Sequence, residues 1–150
     1  MEILISIKNI CTSVAMYLLT YWFCAFVHEM AHIIVGKFHG VRALGIKPAL
    51  FYWQTSFIVD KNWERMAANP KAMFAMASAG WFSHVAMLLI SIVAIFCYGP
   101  DILDGFVQRL AWVNGFLVLW LAIPTGHPDI DSDMSYAALR EIRKDKKTAV

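Results

Sequence analysis

Charged residues are scarce in this chain of 150 residues, because Asp, Glu, Lys and Arg together make up only 16%. Hydrophobic residues make up 59%. A soluble globular domain carries about 25% charged residues, so the composition argues against an ordinary soluble domain. It indicates a protein that lies in a lipid bilayer.

Three further features are missing. The three cysteines lie in apolar segments and form no CxxC pair, so we interpret them as packing residues. The N-terminus has no basic region and no small-residue cleavage site, which predicts a retained helix rather than a signal peptide. No segment combines basic and aromatic residues as a nucleic-acid surface does, so we expect no nucleic-acid partner.

Long apolar runs cover residues 10–36, 72–98 and 106–124. Crossing a bilayer takes about 20 apolar residues, so the runs predict three transmembrane helices in one integral-membrane domain, residues 1–150. Residues 41–60 are rich in β-branched and aromatic residues, which predicts short strands or a hairpin. The predicted fold class is an all-α, multi-pass membrane protein with this short β-hairpin between helices one and two, and a cytoplasmic tail helix at 134–147.

Basic residues are concentrated on one side of this topology, at positions 37–71 and 140–147. Membrane proteins keep Lys and Arg on the cytoplasmic side. We therefore expect the first connection and the C-terminus in the cytoplasm and the N-terminus outside.

The segment HEMAH carries polar side chains inside the first apolar run. Ionisable groups at membrane depth are costly and are usually functional. His28 and His32 are four residues apart, so on a helix they share a face and can hold one metal ion. Glu29 beside them can act as a general base, which is the HExxH pattern of zinc hydrolases. The segment predicts Zn²⁺ as the cofactor.

A zinc site of this kind has a third protein ligand and one open position. Asp129, Asp131 and Asp133 follow the third apolar run on the expected cytoplasmic side. Any one of them reaches the metal if the segment after Pro124 folds back, and the spacing leaves the three open.

The HEMAH segment and two later segments resemble the site-two protease family of intramembrane zinc metalloproteases. The second apolar run contains ASAGWFSH, which keeps the Ala and Gly positions of the family's second core helix but has Trp81 for its Pro and His84 for its Asn. The third run keeps Pro124 but has Leu121 where the family has Asn. Six residues match the first motif in register: His28, Glu29, His32, Gly36, Gly40 and Val41.

The resemblance implies an enzyme that cleaves a transmembrane or juxtamembrane segment of another membrane protein. Alignment of PDIDS with the family's aspartate motif favours Asp131 as the third ligand, with Asp129 and Asp133 as alternatives. His84 then takes the place of an Asn that holds the substrate or its oxyanion, and His84 is a catalytic candidate, although it is also a possible fourth metal ligand.

Asn114 is a second polar residue in apolar surroundings, and we expect it to be either a substrate or oxyanion group or an interhelical hydrogen-bond partner. Two other functions stay open. A degenerate relative would act as a non-enzymatic subunit or scaffold of a membrane complex. A membrane haem protein would use His84 with His28 or His32 as axial ligands.

Overall fold

The computed structural model describes residues 2–48, 52–99, 101, 103, 105–124 and 131–148. These residues form five helices and a two-stranded antiparallel sheet. The prediction of a mostly helical chain with a short hairpin is therefore confirmed. In chain order the elements are α1 Glu2–Phe38, β1 Ala43–Pro48, β2 Trp53–Phe57, α2 Lys61–Ala67, α3 Pro70–Tyr98, α4 Phe106–Leu121 and α5 Asp131–Thr148.

Helices α1 and α3 are long and apolar enough to cross a membrane. Their most apolar windows are only 11% and 17% buried inside the protein, so most of their apolar surface faces outward. Helix α4 has 16 residues and ends at Leu121, which makes it shorter than the roughly 20 residues of a typical crossing. Two of the three predicted spans thus have the required length, and the third, predicted for residues 106–124, is not established.

The ends of α1 and α3 follow from local sequence signals. Gly40 has a φ of 74°, and the Val41 N–H donates to the Gly36 carbonyl at 2.9 Å, so α1 ends in a Schellman motif. Asn69 caps α3, accepting from two backbone N–H groups, and Pro70 occupies the first turn, where its missing N–H costs nothing.

Helix α2 follows the second strand. Asp60 caps it by accepting from the backbone N–H groups of Asn62 and Trp63 at 3.0 and 3.1 Å. The helix closes a small apolar core between the hairpin, α1 and α3. That core consists of Val41, Met66, Ala72 and Met76.

Strand β2 lies along the part of α1 that carries HEMAH. The indole N–H of Trp53 donates to the carbonyl of Trp22 at 3.0 Å, and the Trp53 ring meets the edge of Phe26 at a centroid distance of 5.3 Å. The hairpin therefore forms one wall of the region around Glu29.

Helix α3 lies at the centre and packs against α1, α4 and α5. The Trp81 indole N–H donates to the Val118 carbonyl of α4 at 3.0 Å, and Ala138 of α5 is buried. Helix α5, predicted for 134–147, begins three residues earlier, at Asp131. This earlier start places Asp131 in the first turn of a helix that packs on α3.

Candidate metal centre

Three potential ligands from two distant parts of the chain converge between α1 and α5. Asp131 Oδ2 lies 2.9 Å from Nε2 of His28 and 3.0 Å from Nε2 of His32, and the two Nε2 atoms are 3.2 Å apart. The side chains are 12%, 8% and 26% exposed for His28, His32 and Asp131. The group could hold a metal ion.

The size and chemistry of this group suit a small divalent cation. A tetrahedral zinc ion with bonds of about 2.0–2.1 Å keeps its ligand atoms about 3.3 Å apart, and the three separations here are only a few tenths of an ångström shorter. Two imidazole nitrogens and a carboxylate oxygen are also ligands that zinc accepts. Catalytic zinc sites have three protein ligands and keep the fourth position open for water or substrate.

His32 is held from behind by a backbone carbonyl. Its Nδ1 lies 2.8 Å from the carbonyl oxygen of Met76 on α3. A carbonyl only accepts hydrogen bonds, so Nδ1 carries a proton, and in the neutral ring Nε2 presents its lone pair to the centre. Ligating histidines are commonly oriented by such a bond.

His28 is held from behind by a chain of buried polar side chains. Its Nδ1 lies 3.1 Å from Nε2 of His84, and Nδ1 of His84 lies 2.8 Å from Oδ1 of Asn114. The amide nitrogen of Asn114 lies 2.8 Å from the Leu110 carbonyl and 3.4 Å from Sγ of Cys24. His84 and Asn114 are 1% and 0% exposed.

Gly80 lets α1 and α3 approach each other at the centre. A Cβ atom on Gly80 would overlap the ring of His28. No side chain other than hydrogen fits there while His28 keeps its position.

Glu29 stands beside the group and is not a member of it. Its Oε2 accepts a hydrogen bond from the backbone N–H of Thr55 on β2 at 2.9 Å. Glu29, His32 and Asp131 line one cavity of about 420 Å³. A single water needs only about 10–15 Å³ by this measure, so the cavity has room for water together with part of a larger ligand.

The Asp131 carboxylate is stabilised in its charged form. Burial would raise the pKa of Asp131, but its close interactions with His28 and His32 lower it below its usual value. Asp131 therefore offers an ionised oxygen to the centre at neutral pH.

The three aspartate candidates have different outcomes. The structure brings Asp131 to the two histidines, as the alignment predicts. Asp133 lies outside the group, because residues two apart on a helix differ by about 200° in direction. Asp129 lies outside the described residues.

The structure places His84 and Asn114 behind His28, where Asn114 of α4 is a hydrogen-bond partner of His84 on α3, one of the two roles expected for it. Both side chains are fully buried behind His28, and neither lines either of the cavities next to the metal group. His84 is therefore not a fourth ligand on the open side. Nδ1 of His28 and Nε2 of His84 are 3.1 Å apart, less than the roughly 4 Å that two metal–nitrogen bonds of 2 Å need, so no haem iron fits between these two atoms.

Several supporting groups were not predicted from the sequence. The Met76 carbonyl and the Thr55 N–H are backbone groups, which no side-chain pattern indicates. The sequence does indicate a role for Gly80, since the run of small residues Ala77–Ser78–Ala79–Gly80 predicts close approach of helices. What the run did not indicate is that the approaching group is a ring of the metal site.

No family model, curated protein or solved structure matches this chain.

Proposed function

We propose that this chain is a membrane-embedded zinc endopeptidase of the site-two protease type, which cleaves a peptide bond within an apolar segment of another membrane protein. His28, His32 and Asp131 are its zinc ligands, and Glu29 is its general base. The proposal is argued from the metal centre, the position of Glu29 and the surrounding cavities.

One observation carries the metal assignment. Because the Met76 carbonyl holds the proton of His32 on Nδ1, the Nε2 atom faces Asp131 Oδ2 with a lone pair, at 3.0 Å. Two acceptors at this distance repel each other unless a proton or a metal cation lies between them, and a single proton joins only two of the three atoms. His28 Nε2 completes the triangle, and a zinc ion satisfies all three atoms together.

Zinc bound here would supply a Lewis acid that polarises a carbonyl and lowers the pKa of water to about 7. Glu29 takes a proton from the attacking water and transfers it to the leaving amine. Its Oε2 is held by the Thr55 N–H, which fixes the carboxylate and leaves Oε1 to move the proton.

The cavities support an apolar peptide as the substrate. The cavity beside Glu29 has largely apolar walls, and a second one of about 230 Å³ reaches His28 and Asp131 from the other side. Aromatic and aliphatic side chains of α3 and α5 line that second cavity, among them Phe74, Trp81 and Leu139. Two helices long enough to cross a membrane support a substrate that also spans the membrane.

Metal content and peptide cleavage test the proposal together. The full chain, purified in detergent and loaded with zinc, should carry one zinc per chain, and Asp131→Ala and His32→Ala should carry none. His39→Ala is the matched control, since His39 is exposed and lies outside the group. If the Asp131→Ala and His32→Ala variants keep as much zinc as the unaltered chain, these residues are not its ligands.

Cleavage is measured in vesicles that contain a set of single-pass transmembrane peptides. Glu29→Gln should retain zinc and lose about 10²- to 10⁴-fold in rate, the range that general bases contribute. Glu64→Gln is the control, since Glu64 is exposed on α2. Zinc binding without any cleavage by the unaltered chain would favour the non-enzymatic subunit, and undiminished cleavage by Glu29→Gln would exclude Glu29 as the base.

A further inference from the structure

A series of hydrogen bonds runs from the Leu110 carbonyl through Asn114 and His84 to His28. The direction of the first bond is fixed, because a carbonyl can only accept. Nδ2 of Asn114 lies 2.8 Å from the Leu110 carbonyl oxygen. Since a carbonyl only accepts, the amide nitrogen faces Leu110 and the amide oxygen faces His84. Oδ1 of Asn114 must therefore accept from Nδ1 of His84, 2.8 Å away.

The polarity then passes through His84 to His28. A neutral imidazole with its proton on Nδ1 has its lone pair on Nε2, and burial in an apolar setting favours the neutral ring. Nε2 of His84 lies 3.1 Å from Nδ1 of His28, so His28 must donate from Nδ1. The lone pair of His28 is thereby placed on Nε2, the atom that faces Asp131.

We propose that His84 and Asn114 are positioning residues that hold His28 in the tautomer and ring orientation needed to bind the metal ion. The inference rests on the metal centre of the proposed function. It gives His28 the same kind of support that the Met76 carbonyl gives His32. The opposite tautomer of His84 would place a proton on Nε2 of His28 and remove that ligand atom from the centre.

The contacts of His84 show that it supports His28 and does not itself face the metal position. Its Nε2 approaches the far nitrogen of His28, not the atom that faces Asp131. Substitution of a residue that orients a ligating histidine in this way typically lowers metal affinity 10- to 100-fold. His84 needs an acceptor directed at His28 and a donor directed at Asn114, and a Gln side chain also offers both.

Metal affinity of the full chain in detergent tests the proposal, with Co²⁺ as a spectroscopic probe and Zn²⁺ measured by competition with a chelator. His84→Leu should bind about 10- to 100-fold more weakly and should shift the visible Co²⁺ absorption. His84→Gln should restore most of the affinity and the spectrum. Ser91→Ala is the matched control, since Ser91 is also buried on α3 and bonds only locally, to the Met87 carbonyl.

The outcomes separate this inference from the proposed function. Wild-type affinity and spectrum in His84→Leu, or a Gln variant as weak as the Leu variant, would overturn the positioning role and leave the metal centre intact. Failure of the unaltered chain to bind either metal would overturn both.

A measurement on the unaltered chain avoids dependence on how the variants fold. With ¹⁵N-labelled histidine and bound zinc, the ring nitrogens of His84 should report a neutral ring protonated at Nδ1, and those of His28 a proton on Nδ1 and metal on Nε2. A proton on Nε2 of His84, or zinc on Nδ1 of His28, would contradict the proposal.

Discussion

The ring of His28 lies directly against Gly80 of α3, with no room for a side chain between the two helices. This contact limits where the His28 ring can lie. The hydrogen bond to His84 sets which ring nitrogen of His28 carries the proton. The position of a candidate metal ligand thus depends on a residue that has no side chain.

We expect Gly80→Ala to lower zinc affinity about tenfold or more, because the ring of His28 must move. The same substitution in a helix interior otherwise stabilises by about 0.5–1 kcal/mol. Gly115→Ala is the matched control, since a Cβ there meets only Leu88 Cδ1, at an ordinary 3.9 Å. Chelator competition and thermal unfolding measure both variants, and equal zinc affinities would contradict the steric argument.

The hydrogen bond from the Thr55 N–H to Glu29 predicts a separation of catalysis from metal binding. Thr55→Pro removes that donor, and proline is tolerated at the outer edge of a sheet. Hydrogen bonds to charged groups contribute about 1.5–3 kcal/mol, so we expect the cleavage rate to fall about 10- to 100-fold with zinc content unchanged.

Thr55→Ala is the control for this experiment, because it keeps the backbone N–H and loses only the longer contact from Oγ1 to the Glu29 carbonyl, at 3.4 Å. It should cleave at nearly the unaltered rate. A proline variant as active as the alanine variant would show that the Thr55 N–H does not orient Glu29.

Features fixed by neighbours in sequence were predictable. The ends of α1 and α3 follow from Gly40 and from Asn69–Pro70, and the hairpin follows from composition. The pair His28 and His32 shares a face because both lie on one helix. In each case the decisive interaction spans only a few residues.

Features that join distant segments were not predictable in the same way. The series from Cys24 through Asn114 and His84 to His28 crosses three helices. Each member reads, by itself, as a polar residue in an apolar run, and its partner depends on how the helices pack. The sequence therefore singled out His84 and Asn114, while the packing of the helices decides which groups they contact.

Asp60 gives a pH dependence outside the metal group. Hydrogen bonding to the Trp63 N–H lowers the pKa of Asp60, burial opposes this, and the Arg42 side chain at 3.2 Å lowers the pKa further. A folded-state pKa below the unfolded value of about 3.9 stabilises the folded chain fully above that pH. The contribution is lost as the pH falls through the folded-state pKa.

Asp60→Asn isolates this effect, because Asn caps a helix equally well and does not titrate. We expect the difference in unfolding temperature between the unaltered chain and Asp60→Asn to be largest near pH 6 and to shrink as the pH is lowered below about 4. Taking this difference cancels acid titration of the metal group. An unchanged difference at pH 3 would contradict the assignment.

Because Asp131 is both a proposed metal ligand and the first residue of α5, the metal should link α5 to α1. Helix α5 also contacts the rest of the protein through buried Ala138 and through a hydrogen bond of 3.2 Å from Tyr136 Oη to the Ala122 carbonyl. A ligand at about 100 times its Kd stabilises the binding state by about 2.7 kcal/mol. Zinc should therefore slow amide hydrogen exchange in residues 133–144 by up to about 100-fold.

Asp131→Asn tests whether this protection passes through the ligand, since the amide keeps the size of the side chain and loses the charge that zinc binds. In that variant zinc should leave the exchange of α5 unchanged. The long helix α3 serves as the internal reference, because its middle is held by α1 and α4 as well as by α5. Equal protection of α5 by zinc in the Asn variant and the unaltered chain would show that α5 docks independently of the metal, and that Asp131 does not connect the two.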